Sequence, residues 1–321
     1  MHDTALLLRE KCGKEFFLKE KQSFVHINCP ACASDKNQVF KFYKYGFSHI
    51  ECPSCRTLYV SPRPGEDLLV KYYSQYEAPL YWTKILIETN EERKKLQHLP
   101  RVKRLKEIMD NNSDSSKVFV DIGAGNGNFA AAVKEEGIFK KVIAADFSED
   151  CIKACKARGL QICTGAIDNF TDNSLDCITG NDLLEHLFNP HVFLETVHKK
   201  LKRNGIVMFS TPNGEGFDFK ILKDKTENIT PPEHIQYFNT ESIKALLQRS
   251  GFKVLEVSTP GMLDVEIIKK QFLVKNYDLN SNNEYIAYLM NLKNGKLEAS
   301  FQEFISKNGL SSHMLIFAKK V

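Results

Sequence analysis

The chain has 321 residues, of which 42% are hydrophobic and 26% are charged, and its formal net charge is +4. This is the composition of an ordinary globular protein, and no stretch approaches the roughly 18 uncharged apolar residues of a membrane span. The charge lacks the clustered basic footprint of nucleic-acid binding, and the first thirty residues mix charges with short apolar runs, which predicts no secretory leader and a cytoplasmic location.

Two cysteine pairs lie near the start of the chain. Cys29-Pro-Ala-Cys32 and Cys52-Pro-Ser-Cys55 are separated by 19 residues, a spacing typical of a zinc ribbon in which two knuckles supply four thiolates. The Phe- and Tyr-rich stretch between them suits a hairpin. Four thiolates leave no coordination position open, so the pattern predicts a structural zinc ion held by Cys29, Cys32, Cys52 and Cys55. A redox pair and unpaired thiols are the alternatives.

The chain divides into three predicted parts. Residues 1–65 are a charged lead-in and the zinc-ribbon-like module, which ends at the turn Ser61-Pro-Arg-Pro-Gly65. Residues 66–112 form a helical, aromatic-rich connector, and the polar run 111–116 predicts a loop. Residues 113–321 form the main domain, with a helical insertion at about 262–310 whose role the sequence does not indicate.

The main domain alternates short apolar strands with helical stretches, which predicts an α/β fold with a parallel sheet. Strands are predicted near residues 118–120, 141–146, 161–164, 175–180, 205–210, 253–258 and 312–319. Helices are predicted near residues 129–136, after the N-cap Ser148, at 189–202 with an end at Asn204-Gly205, and at 240–250.

The first strand of this domain runs into the loop Asp121-Ile-Gly-Ala-Gly-Asn-Gly127. Its glycines stand where a strand turns tightly into a helix and a ligand approaches the backbone. The dinucleotide-binding motif Gly-x-Gly-x-x-Gly requires a third glycine at position 128, where this chain has Asn128. Its pyrophosphate would also repel Asp121 by about 4 kcal/mol at about 4 Å and an effective dielectric near 20.

S-adenosylmethionine has no phosphate and carries a sulfonium and an ammonium, so a nearby carboxylate favours it. Asp146 ends the next strand, where a carboxylate can accept the hydroxyls of an adenosine ribose. The loop therefore predicts S-adenosylmethionine as the cofactor. A nicotinamide-dependent dehydrogenase and a glycine loop used only as a turn are weaker alternatives.

These residues resemble the motifs of class I S-adenosylmethionine-dependent methyltransferases. The likeness continues through Asn181-Asp-Leu-Leu-Glu-His-Leu187, Phe209-Ser-Thr-Pro-Asn213 and His234-Ile-Gln-Tyr-Phe238, and covers about residues 28–260. It is closest to a bacterial branch with an N-terminal zinc-ribbon-like region followed by a Ser-Pro-Arg-Pro turn. The resemblance implies a Rossmann-like, seven-stranded methyltransferase sheet with the cofactor over the first glycine loop.

The resemblance also implies a set of cofactor-binding residues. They are Asp121, Gly123, Ala124, Gly125, Asn126, Gly127, Asp146, Phe147, Ile167 and Asn181. One position departs from the pattern, because many relatives have an aspartate near the adenine where this chain has Ala166. Backbone groups near Ile167, or the side chain of Asp168, would then make that contact.

Methyl transfer needs a nucleophile in line with the methyl–sulfur bond, and a hydroxyl nucleophile also needs a base. Asn181, Glu185 and His186 follow the fourth strand, and His234 lies in a loop after the fifth, at the same end of the sheet. We predict that His234 or His186 is the base or orients the nucleophile, with Glu185 in support. The alternative is that each histidine has only a structural role, as a helix cap or as a hydrogen-bond partner of nearby groups. Several aromatic residues are either pocket walls or core: Tyr72, Tyr73, Tyr76, Trp82, Tyr237 and Phe238.

The acceptor is the least determined part of the prediction. The Asn/Asp-Pro-Pro-aromatic loop of many methyltransferases of nucleic-acid bases is missing, because residues 181–184 read Asn-Asp-Leu-Leu. We expect a small-molecule acceptor, first a hydroxyl of a free or carrier-linked sugar. An RNA or protein methyltransferase that uses the zinc ribbon for recognition is one alternative. A non-catalytic zinc-dependent binding module with a degenerate cofactor site is another. Monomer and homodimer both stay open.

Overall fold

The computed structural model describes residues 2–89, 93–109, 117–165, 167–275, 284–291 and 294–321. The predicted loop at 111–116 and the departing position Ala166 lie outside the described residues. Among the helices in these ranges, none is long and apolar enough to cross a membrane.

The N-terminal part begins with one long helix and continues into a small sheet. The elements are helix α1 (His2–Glu20) and strands β1 (Val39–Lys44), β2 (Phe47–Glu51) and β3 (Leu58–Val60). β1 and β2 form the antiparallel hairpin predicted between the cysteine pairs. An unpredicted two-residue strand, β9 (Gln236–Tyr237), joins the edge of this sheet in the order β1-β2-β3-β9. The small sheet is therefore completed by a strand from the main domain.

The segment between the small sheet and the main domain is helical over much of its described length. It contains α2 (Glu66–Gln75), α3 (Glu77–Glu88), a π-helical turn (Lys94–His98) and α4 (Leu99–Met109). α3 packs along α1, and α4 packs against the first helix of the main domain.

The main sheet confirms the prediction of a seven-stranded Rossmann-like fold. Its strands are β4 (Val118–Ile122), β5 (Lys141–Asp146), β6 (Gln161–Thr164), β7 (Leu175–Asn181), β8 (Leu201–Pro212), β10 (Phe252–Ser258) and β11 (His313–Lys320). They lie in the order β10-β11-β8-β7-β4-β5-β6. Strands β4 to β8 are parallel, and β11 is antiparallel to both of its neighbours.

The helices of the main domain begin and end largely where the sequence predicts. They are α5 (Asn128–Glu136), α6 (Glu149–Ala157), α7 (Pro190–Lys200), α8 (Phe217–Leu222), α9 (Thr240–Arg249), α10 (Asp264–Lys275), α11 (Glu284–Asn291) and α12 (Gly295–Lys307). Gly137 ends α5 in the left-handed conformation at φ 69°. The predicted end of α7 at Asn204-Gly205 is wrong, because β8 already starts at Leu201, which pairs with Leu175 of β7.

Apolar side chains cover both faces of the main sheet. Val120, Ile178 and Val207 point toward α7, α9 and the cysteine module, whereas Phe119 and Cys177 point toward α4 and α5. A parallel sheet is buried on both faces because its crossover helices lie on either side. The alternation along the strands therefore sorts the core into two layers.

Three helices precede the last strand in the described residues of the segment 264–307. α10, α11 and α12 pack on α8, where Ile268, Ile305 and Leu222 form part of one buried cluster. The insertion thus adds helices beside α8, the helix that follows β8.

Candidate active site

The candidate site lies where the strand order reverses. β4 has β5 on one side and β7 on the other, and ligands of open α/β sheets bind outside the carboxyl ends of the strands at such a point. Asp121, Asp146 and Asn181 stand at or next to the carboxyl ends of β4, β5 and β7. The structure brings these three predicted cofactor residues to one crevice.

The glycine loop between β4 and α5 uses three left-handed backbone positions. Gly123, Gly125 and Gly127 have φ of 64°, 55° and 77°. A Cβ on Gly127 would lie 2.7 Å from the Sγ atom of Cys155, so this glycine lets the loop pack on α6. A Cβ on Gly125 would meet nothing within 4 Å. Gly125 therefore presents open backbone on the side where a ligand can approach.

Asp146 ties this loop to the next helix. Its Oδ2 accepts a hydrogen bond from the Gly125 amide at 2.8 Å, and its Oδ1 accepts one from the Ser148 amide at 2.9 Å. Burial raises the pKa of this carboxyl group. Each oxygen keeps acceptor capacity for the hydroxyls of a ribose.

The remaining predicted cofactor residues flank the loop in different ways. The Asn126 side chain donates to the Leu86 carbonyl of α3 at 3.3 Å, and the Ala124 amide donates to a β5 carbonyl. Phe147 is 76% exposed, whereas Ile167 is buried at the start of a short 3-10 turn. Phe147 is thus free to lie against a planar ligand.

Asp121 is buried below the loop. Its Oδ1 accepts a hydrogen bond from the Thr179 hydroxyl at 2.7 Å, and burial raises the pKa of its carboxyl group to about 7. A cation next to this carboxyl group would favour its ionised form. The side chain therefore suits a positively charged ligand.

One further residue of the crevice was missed by the sequence analysis. Arg101 of α4 is buried and donates from Nη1 to the Oδ1 of Asn181 at 2.8 Å, while no described residue hydrogen-bonds the Asn181 Nδ2. Nothing in the sequence distinguishes Arg101 from the exposed cations of the same helix. The crevice thus combines carboxylates with a buried cation.

The second half of the site contains Glu185, His186 and His234, and we call it the histidine half. Glu185 lies at its base. Its side chain is fully buried; Oε2 accepts from the Thr211 hydroxyl at 3.0 Å, and within the described part of the chain Oε1 has no hydrogen-bond partner. The Oε1 atom lies 4.0 Å from Nε2 of His186. Burial, followed by the charge of Asp182, raises the pKa of the Glu185 carboxyl group well above its usual range.

His186 and His234 lie beside each other, with ring centroids 4.7 Å apart. Nδ1 of His186 is 2.9 Å from the Glu233 carbonyl, and Nδ1 of His234 is 2.8 Å from the Asn228 carbonyl. A carbonyl oxygen only accepts, so these contacts assign the proton to Nδ1 and leave a lone pair on each Nε2. Burial lowers the pKa of His186 to about 4 and that of His234 well below its usual value. Both rings are therefore neutral near pH 7.

The predicted aromatic residues divide between this site and the core. The Tyr73 hydroxyl lies 2.6 Å from Nδ1 of His186, and Trp82 stacks under the guanidinium of Arg9 at 4.0 Å. Arg9, on α1, also pairs with Glu233 at 2.8 Å. The other four aromatic side chains are buried core residues: Tyr72, Tyr76, Tyr237 and Phe238. The N-terminal helix thus reaches the histidine half of the site.

The four cysteines of the N-terminal module meet in one cluster. Their Sγ atoms all lie within 4.8 Å of one another, with Cys29 3.5 Å from Cys55 and Cys32 3.6 Å from Cys52. A tetrahedral zinc ion with Zn–S bonds of about 2.3 Å would place its sulfur ligands about 3.8 Å apart. The residues present therefore fit a structural zinc ion.

This cysteine module contacts the histidine half directly. The Val60 amide of β3 donates to the Ile235 carbonyl at 2.9 Å, and the Ile235 amide donates to the Glu185 carbonyl at 3.0 Å. Arg63, in the Ser-Pro-Arg-Pro turn, is fully buried and donates to Oε1 of Gln236 at 3.0 Å and to the Phe188 carbonyl. The turn thus joins the two loops that carry Glu185, His186 and His234.

Comparisons with known proteins agree with this architecture. The family described as a methyltransferase domain matches residues 91–257, just over half of the chain. A ubiquinone biosynthesis O-methyltransferase from Idiomarina loihiensis is 29% identical over 118 residues, which cover 33% of this chain and 47% of that protein. A "probable S-adenosylmethionine-dependent methyltransferase" from Mycolicibacterium smegmatis is 26% identical over 139 residues, or 42% of this chain and 51% of that protein. The chain spans about half the length of the curated relatives it matches.

A solved structure shares the fold. A chain of the complex between a Haloferax volcanii methyltransferase activator and a methyltransferase has a TM-score of 0.50 and 15% sequence identity. The match covers 74% of this chain and 94% of that chain.

Proposed function

Because the chain belongs to the methyltransferase-domain family, we propose that it is a class I S-adenosylmethionine-dependent methyltransferase that acts on a hydroxyl group of a small molecule. The observation that carries the proposal is the crevice at the reversal of strand order. There a loop with open backbone at Gly125 lies between the carboxyl groups of Asp121 and Asp146.

Each part of the cofactor has a partner of matching chemistry in this crevice. Asp146 would accept the ribose hydroxyls, and Phe147 with the backbone at Ile167 would border the adenine. The carboxyl group of Asp121 suits the ammonium and sulfonium charges. Arg101 and the unpartnered Nδ2 of Asn181 are donors for the carboxylate of the methionine part.

The histidine half of the site would handle the acceptor. The acceptor oxygen attacks the methyl carbon opposite the sulfur, so that an O–C bond forms and the C–S bond breaks. The electron pair of the broken C–S bond stays on sulfur, and S-adenosylhomocysteine is the product. His186 or His234 would take or orient the hydroxyl proton through Nε2, because Nδ1 of each ring is engaged with a backbone carbonyl.

An oxygen acceptor fits these residues better than a nucleic-acid base does. The base-flanking loop motif is missing at residues 181–184, and one relative is described as an O-methyltransferase. Neutral imidazoles beside a buried carboxyl group suit a hydroxyl, which must lose a proton. We propose a sugar hydroxyl, free or carrier-linked, as the first acceptor class to test.

We assign the zinc ion of Cys29, Cys32, Cys52 and Cys55 a structural role. When bound, the ion would cross-link the two knuckles of a module that packs on α9 and on residues 235–239. The module lies beside β9, and this position favours a role in supporting the histidine half of the site over recognition of a macromolecule.

The test is calorimetry on the zinc-loaded chain with S-adenosylmethionine, S-adenosylhomocysteine and NADH. Binding of both adenosyl ligands in the micromolar range, without NADH binding, is the expected result. A folded, zinc-replete sample that binds neither adenosyl ligand would overturn the proposal in favour of a non-catalytic binding module. Transfer of labelled methyl groups to a panel of saccharides, with crude RNA alongside, then tests the acceptor class.

A further inference from the structure

We infer that Glu185, His186 and His234 form a binding site for a divalent first-row metal cation, separate from the four-cysteine cluster. The three side chains offer one carboxylate oxygen and two imidazole nitrogens that all lie within 4.8 Å of one another. Two imidazoles and one carboxylate are a recurrent ligand set for such cations, and they leave coordination positions open.

Both imidazole rings make the second hydrogen bond that metal-ligating histidines usually make. A ligating histidine nearly always donates its other ring N–H to a carboxylate, a carbonyl or water, which fixes the ring and the tautomer. His186 makes this contact with the Glu233 carbonyl and His234 with the Asn228 carbonyl. The free lone pair of each ring is thus on Nε2, and backbone atoms hold both rings in place.

Glu185 gives an independent indication of a missing partner. Its carboxyl group is fully buried, yet Oε1 has no hydrogen-bond partner among the described residues, and Nε2 of His186 lies 4.0 Å away. Buried polar groups without a partner are rare and costly. A cation between Oε1 and the two Nε2 atoms would satisfy all three groups at once.

The dimensions require only a small adjustment. Metal–nitrogen and metal–oxygen bonds of about 2.0–2.2 Å allow two ligand atoms to be at most about 4.4 Å apart. That limit holds for two ligands on opposite sides of the ion; the ligands of a tetrahedral ion lie about 3.4 Å apart, so the 4.8 Å spread closes with side-chain movements of up to about 1 Å. Nitrogen-rich ligands favour zinc, manganese, iron or cobalt over magnesium, which prefers oxygen.

The exposure of the three residues indicates on which side the open coordination positions of a bound cation would lie. Glu185 is buried at the base, whereas the side chain of His186 is 25% exposed and His234 is half-buried. A bound cation would face the exposed side of His186 and lower the pKa of a coordinated hydroxyl. This inference rests on the proposed methyl transfer for its use: with the cation in place both Nε2 atoms are occupied, so the coordinated hydroxyl would lose its proton to solvent and not to a histidine. The acceptor would then be a molecule with a second oxygen next to the methylated hydroxyl.

Manganese binding to the full chain loaded with one equivalent of zinc, which the four thiolates bind first, tests the site without any turnover. Thiolates bind Mn²⁺ poorly, so loss of the free-ion electron paramagnetic resonance signal reports on this cluster and not on the cysteines. Co²⁺ absorption adds a second reading, because a nitrogen and oxygen site lacks the sulfur-to-cobalt charge-transfer band. We expect one bound ion, and more than about a 100-fold loss of affinity in His234→Gln and Glu185→Gln.

His191→Gln is the matched control, because His191 lies on α7 and contacts Ser250 outside the cluster. It should bind Mn²⁺ like the wild type. Thermal unfolding followed by circular dichroism confirms that each variant is folded. Calorimetry with S-adenosylhomocysteine tests the proposed function separately, because Mn²⁺ binding does not depend on it. The inference is overturned if the wild type binds neither Mn²⁺ nor Co²⁺ outside the cysteines. Equal affinity in the wild type, His234→Gln and Glu185→Gln would overturn it as well.

Discussion

Replacing Asp146 by alanine should abolish tight cofactor binding. The carboxylate holds the glycine loop through the Gly125 amide at 2.8 Å and the first turn of α6 through the Ser148 amide at 2.9 Å. In our proposal its remaining lone pairs accept both ribose hydroxyls. A hydrogen bond to a charged group contributes about 1.5–3 kcal/mol, so the loss of two weakens binding by at least about 3 kcal/mol. This corresponds to roughly a 150-fold increase in Kd.

The assay is calorimetric titration of the wild type and of Asp146→Ala with S-adenosylhomocysteine. Asp150→Ala is the matched control, because it removes the same charge from the same helix end. The Asp150 carboxylate is 75% exposed, and its one ion pair among the described residues is with Lys153, at 3.4 Å. Thermal unfolding followed by circular dichroism shows whether each variant is folded at the titration temperature.

Two results would refute the reasoning. A folded Asp146→Ala variant with the affinity of the wild type would show that the ribose does not bind at this carboxylate. An equal loss in Asp150→Ala would show that a general charge effect, and not a direct contact, controls the affinity.

Three further predictions follow from the buried contacts. Gly127→Ala should lower the free energy of unfolding by about 2–5 kcal/mol in urea titration, because φ is 77° and the new Cβ would lie 2.7 Å from the Sγ atom of Cys155. Asp121→Asn should be more stable than the wild type above pH 7, by at most about 4 kcal/mol, and equal to it near pH 4. The folded pKa of Asp121, about 7, exceeds the unfolded value of 3.8, so stability is lost as the pH rises through that window; thermal unfolding at both pH values checks this. Arg63→Met should leave the acceptors at Gln236 and Phe188 unpaired, destabilise the chain by about 2–4 kcal/mol, and lower the methyl-transfer rate more than cofactor affinity, as activity and calorimetry together would show.

The cofactor half of the site was predictable because its signals are local. A strand, a glycine turn and a helix follow one another within residues 118–136, and hydrogen bonds between neighbouring segments decide their geometry. Gly137 and Ser148 mark helix boundaries for the same reason, since their effect depends on the adjacent backbone alone. The roles assigned to the individual cofactor residues stay predictions.

The errors occur where distant pairing decides the structure. Asn204-Gly205 is a reasonable helix stop by local propensity, but pairing of Leu201 with β7 ends α7 earlier. β9 has only two residues and exists because β3 lies beside it. A sequence pattern cannot reveal such a strand, because nothing within it differs from a loop.

Buried arginines are the second class of missed residue. Arg63 and Arg101 are both almost fully buried, although arginine is usually exposed. Their burial depends on acceptors that lie far away in sequence, such as the Phe188 carbonyl for Arg63 and Asn181 for Arg101. The Ser-Pro-Arg-Pro turn was recognised only as a boundary, whereas its arginine connects two loops of the site.

The two halves of the site therefore depend on different parts of the chain. The loop that would hold the cofactor is fixed by contacts with β5, α6 and α3, none of which belongs to the cysteine module. The cluster of Glu185, His186 and His234 is fixed by β3, Arg63 and the segment around Gln236. Since the cysteine knuckles pack against that segment, the module would support the half of the site that we propose for the acceptor. In this proposal a closed four-thiolate site, which has no open position for chemistry, would affect the reaction by holding Glu185, His186 and His234 in place.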